Sequence, residues 1–153
     1  MNAEKLRLLA DHIEANASHF DMAQWGKVTI KSIPLPDKTN MELCGTTACI
    51  AGHACLLFDP QVWNSSFNVH SLASTMARST VEADPIIQAA RKALELTEDQ
   101  AEMLFREGDW PDPFYENFIE TESQEQEAKV AVTLLRHLAE SEEGKQKVAD
   151  HEL

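Results

Sequence analysis

The chain has 153 residues, 43% of them hydrophobic, and a formal net charge of −13, which suits one domain whose core needs neither disulfides nor a metal to fold. No apolar stretch reaches the roughly 18 residues of a membrane helix, the charged start with Glu4, Lys5 and Arg7 does not read as a secretory leader, and three cysteines, which cannot all pair internally, fit a reducing cytoplasm. The acid excess is lopsided: residues 1–94 carry nine acids against eight bases, and residues 95–153 carry seventeen against five, so the second part repels phosphate backbones and would attract a basic protein surface.

Leu6, Leu9, Ala10 and Ile13 recur at helical spacing with charged residues on the other faces, which predicts an amphipathic helix over 3–16. The aromatic stretch from His19 to Trp25 reads as a turn of helix packed on the core, closed by Gly26. Residues 27–43 combine β-favouring Val28-Thr29-Ile30 with Pro34 and Pro36, so this segment is expected to be an irregular arm with room for a short β-hairpin at most. Residues 46–58 read as a helix from their alanines and lack of alternation, capped by Thr46 or Thr47 and stopped at Asp59-Pro60. Ala48, Ala51, Gly52 and Cys55 give it one nearly bare face, and apolar residues on nearly every side place it at the centre of the fold.

A weaker helix is expected at about 70–78, carrying Leu72, Met76 and Ala77. Asp84-Pro85 opens another whose apolar stripe is Ile86, Ile87, Ala90 and Leu94. Thr97 and Gln100 have the spacing of a capping box that starts a short helix through Phe105, with Gly108 closing it. Trp110-Pro111-Asp112-Pro113 forms a rigid corner anchored by Phe114, Tyr115, Phe118 and Ile119. A second box, Ser123 to Gln126, begins a final helix striped by Ala131, Leu134, Leu135 and Leu138 and expected to end near 141. The fold class is therefore mainly α, a single helical bundle over 1–141 around a central apolar helix at about 46–58, with a charged tail at 142–153 expected to fray.

Four islands carry a resemblance: Phe20-Asp21-Met22 with Trp25; Cys44-Gly45-Thr46-Thr47-Ala48-Cys49-Ile50-Ala51-Gly52; Leu94-Glu95-Leu96-Thr97 with Gln100-Ala101 and Leu104-Phe105; and Leu134 to Glu140. Together they resemble an uncharacterised family of small bacterial and bacteriophage proteins that share the Cys-Gly-Thr core. That resemblance implies a cytoplasmic, phage-linked protein and brings no activity or ligand with it.

Residues 44–55 hold all three cysteines and invite three chemical readings. A cysteine before a helix gains thiolate stability from the helix N-terminus and oxyanion donors from its amides, which makes Cys44 a candidate nucleophile with His70 as its base. His70 followed by Asp84-Pro85 superficially matches bacteriocin-processing cysteine peptidases, yet the β-rich half those enzymes need is missing. Cys49 and His53, four apart, share a helical face and could ligate a soft metal with Cys44 and a fourth donor from Asp21, His19 or His70; no CxxC, HxxxH or HExxH spacing supports it. A Cys44–Cys49 disulfide would need a sharp bend. Gly45 and Gly52 make no phosphate loop, since no lysine follows in place. Trp25, Trp63, Trp110 and Phe114 fit a core better than a pocket.

Against each stands a plainer reading in which the cysteines and His53 are scaffold. The leading expectation is a non-enzymatic protein-binding module without cofactor, whose contact face includes Glu120, Glu122, Glu125 and Glu127.

Overall fold

The computed structural model describes residues 1–23, 27–28, 46–62, 74–75 and 85–151, and over them the protein is mainly helical, as expected. Helix α1 spans Ala3–Ala15. Asn2 caps it, its Oδ1 accepting the Lys5 N–H at 3.1 Å, and the expected stripe of Leu6, Leu9, Ala10 and Ile13 is fully buried. A 3-10 turn, Ala17–His19, follows. Phe20 then pairs as an isolated parallel bridge with Ala48.

The centre differs from expectation at its entry. Helix α2 is Ile50–Phe58 with Cys49 at the N-cap position, its side chain not capping the helix, whereas Thr46–Thr47 is a short strand, β2. The polar threonines are drawn into backbone pairing instead of capping. Strand β1, Lys27–Val28, pairs antiparallel with β2 and with β3, Ser74–Thr75, in the order β2-β1-β3. The arm therefore pairs with segments outside itself and the two-stranded limit is exceeded, while Ser74–Thr75 is strand where a helix over about 70–78 was expected. Trp25, Gly26, Pro34, Pro36, Trp63 and Asp84 lie outside the described residues. Asp59 does more than stop α2: its Oδ1 accepts the Val62 N–H at 3.3 Å, so it caps a further helical turn in which Pro60 takes the first position.

Helix α2 is central as expected. Every residue from Ile50 to Leu56 is buried, and it packs against α1 and against α3, Pro85–Leu94, whose stripe of Ile86, Ile87, Ala90 and Leu94 faces inward. Glu95 then takes a left-handed conformation (φ 56°), and the Leu96 N–H reaches back to the Arg91 carbonyl at 3.0 Å, the six-to-one bond of a Schellman ending. Asn2 and Lys5 bind the Glu95 carboxylate at 3.0 and 3.4 Å, fastening the start of α1 to the end of α3.

Helix α4, Glu98–Phe105, starts with the full Thr97/Gln100 capping box. It ends before Gly108, which sits inside a 3-10 turn, Glu107–Asp109. Helix α5 is Phe114–Ile119. Helix α6 runs Gln124–His151, past 141 and through the residues expected to fray. At its start Gln126 accepts the Glu122 N–H instead of that of Ser123, and only the Ser123 Oγ arm of the box forms. Ala131, Leu134 and Leu135 are buried and Leu138 partly so. The long helix lies along α1, with Arg136 reaching Asp11 at 2.8 Å and Glu14 at 2.7 Å, and Arg7 bonded to Glu143.

Candidate functional site

The thiol and metal readings meet the structure at α2. Cys49 and Cys55 are fully buried, so neither sulfur meets solvent. Cys55 Sγ approaches the Asp59 carbonyl at 3.4 Å. His53 is also fully buried, and its Nε2 lies 3.0 Å from the His19 carbonyl. A carbonyl can only accept, so Nε2 carries the hydrogen. Burial, aided by neighbouring His12, pushes His53 down to about 3. Asp21 spends its carboxylate on the Ala23 N–H, and among the described residues no three His, Cys, Asp or Glu side chains converge on a point. Cys44 and His70 lie outside the described residues.

The corner after α4 is where charge and exposure come together. Trp110 is buried, with its indole N–H donated to the Leu104 carbonyl at 3.0 Å and its ring edge-on to Phe118 at 5.1 Å. That carbonyl is one of the last four of α4, which have no partner inside the helix, so Trp110 caps α4 and fixes the corner. Phe114 is buried against His137, with ring centroids 5.4 Å apart.

These inward contacts orient α5. Phe114 and Phe118, four apart, face the core, which turns Tyr115 and Ile119, also four apart, outward. They were expected to help anchor the corner. Instead Ile119 is 62% exposed and Tyr115 37% exposed, two apolar side chains one helical turn apart.

Around them the sequence holds eight acids and no Lys, Arg or His between residues 107 and 128. Asp109, Asp112, Glu116, Glu120, Glu122 and Glu125 are all exposed, and none makes an ion pair among the described residues. Elsewhere several acids meet bases: Asp11 and Glu14 with Arg136, Glu95 with Lys5, Glu98 with Arg91, Glu102 with Arg106 and Glu142 with Lys145. Of the four glutamates expected to form a contact face, Glu120, Glu122 and Glu125 belong to this unpaired group. Glu127 is turned inward: burial raises it above the usual carboxylate range, with the Met22 backbone N–H acting the other way and Asp21 and Glu107 adding to the rise.

Sequence reasoning found the acidic stretch and missed its apolar centre. The lack of any base over 107–128 was legible, but α5 is too short for a stripe to reveal which of its four large side chains point outward. No family model matches the chain, and no curated protein or solved structure matches it. Among the described residues no helix is long and apolar enough to cross a membrane.

Proposed function

We propose that the protein is a binding module that holds a basic segment of a partner protein across α5 and the start of α6. The observation that carries this reading is the Tyr115–Ile119 pair set among six unpaired carboxylates. An apolar anchor inside a polar rim is how protein contacts gain both hold and specificity, and a one-sign rim accelerates encounter with the opposite charge. Water and salt satisfy exposed carboxylates at no cost, so the field remains available to a partner. The fitting partner is a segment with lysines or arginines around one or two large apolar side chains.

Capture from a lysate tests this with two variants beside the native chain. Glu116, Glu120, Glu122 and Glu125 changed together to Gln remove the field, and Ile119→Ser removes the anchor. Basic proteins retained by the native chain and lost by both variants support the reading. Retention that ignores both changes, or that survives at about 0.5 M salt, where the screening length is a few ångströms, contradicts it.

A further inference from the structure

The binding face leaves unused an arrangement in the core. The His19 carbonyl accepts two hydrogens, from His53 Nε2–H at 3.0 Å and from the Ala48 N–H at 2.9 Å. The Asp21 N–H returns to the Ala48 carbonyl at 3.0 Å. These three bonds close a junction between the end of the 3-10 turn and the entry to α2, residues far apart in sequence. The His53 ring is sandwiched there: Phe20 lies nearly parallel at 20° with centroids 6.0 Å apart, and His12 stands at 63° with centroids 5.2 Å apart. Among the described residues His53 Nδ1 and His12 Nε2, both buried, have no hydrogen-bond partner.

We propose that His12 and His53 form an acid-sensitive latch, in which proton uptake by the pair releases the Ala17–Asp21 turn from the entry of α2 while the α1–α6 packing stays intact. A proton on His53 would land on Nδ1, which has no acceptor among the described residues, and would set a charge beside a phenyl ring and a second imidazole. The titratable groups acting on His53 are His12 from α1 and His19 from the turn; no carboxylate among the described residues does so. Asp21 and Glu127 sit together by Met22. At the surface of the packed elements Arg136 pairs with Asp11 and Glu14, Arg91 with Glu98 and Arg106 with Glu102. Release is local because three hydrogen bonds at the junction converge on His19 and Ala48, whereas α1 and α6 pack on each other along their length, with Leu6, Leu9, Ile13, Leu134 and Leu135 buried.

Amide hydrogen exchange on the full chain between pH 7.5 and 5, corrected for the intrinsic rate at each pH, reads the opening directly. The opening constants of the Asp21 and Ala48 amides should rise by about tenfold per pH unit for each proton taken up, starting below about pH 6.5. Amides between Ala131 and Ala139 should not follow. His53→Gln keeps an N–H for the His19 carbonyl but cannot titrate, and should lower the slope by one proton's worth. If that variant does not fold, His12→Leu must lower the slope. The latch is overturned by a junction that does not respond between pH 6.5 and 5, by junction and α6 amides opening in parallel, or by a slope that the histidine variant leaves unchanged.

Discussion

Trp110→Phe separates the hydrogen bond of the indole from its bulk. Leu104 sits in the last turn of α4, and its carbonyl is met by the Trp110 indole N–H at 3.0 Å in a buried site. Phenylalanine removes the donor and leaves that carbonyl without a partner, a cost of about 1–3 kcal/mol. The smaller ring also gives up part of the buried apolar area, roughly 1 kcal/mol more. The ring contact with Phe118 persists. The sum, about 2–4 kcal/mol, is a large share of the 5–15 kcal/mol typical of a folded domain, and in a chain of this size it lowers Tm by roughly 4–16 °C. Urea unfolding followed by far-ultraviolet circular dichroism measures it, with an unchanged m-value showing that stability and not compactness has moved. A loss below about 0.5 kcal/mol, the range of an unremarkable surface change, would refute the claim that the indole caps α4.

Thr97→Ala, which breaks the box at the start of α4, should cost about 1 kcal/mol in urea unfolding. His53 has a folded value near 3 against about 6.5 when unfolded, so its contribution is whole above pH 6.5 and is lost as pH falls toward 3, by about 1.4 kcal/mol per unit. The stability of His53→Leu, measured at pH 6 and pH 5, should fall by one proton's worth less than that of the native chain. Arg136→Ala should lower Tm slightly and lose that difference as salt rises, because the Asp11–Arg136–Glu14 cluster is exposed. Arg136 holds Glu14 below the ordinary carboxylate value, so this contribution is present above about pH 4.5 and disappears as pH drops further.

The helices were legible where a long apolar stripe coincides with local end signals. Leu6 to Ile13 and Ile86 to Leu94 are such stripes, and Thr97 with Gln100 forms the box their spacing requires. Legibility failed where tertiary pairing overrides local preference. Thr46 and Thr47 suit a cap and a strand alike, and β1 decides between them from almost twenty residues away. Ser74–Thr75 is strand for the same reason. The end of α6 was misjudged because charge suggests fraying, whereas Arg7 and Met1 supply partners for Glu143 and Glu142 that no local pattern reveals. At the surface, the acids were visible but the outward turn of Tyr115 and Ile119 follows from Trp110 and Phe118 meeting inside. Burial of Cys49, Cys55 and His53 was expected, and the His19 carbonyl that meets His53 lies 34 residues away, where no local pattern points to it.

Mapping the Tyr115–Ile119 patch by nuclear magnetic resonance is the most direct test of binding at α5. An amphipathic peptide of leucine and lysine is titrated into the labelled protein at low salt, first with the native chain and then with Ile119→Ser. Saturable shifts confined to Asp109–Glu125, weakened at least tenfold by the serine, are the expected result. Shifts spread equally over Glu140, Glu142 and Glu143, or unaffected by loss of Ile119, would mean that the peptide follows negative charge alone and that α5 presents no site.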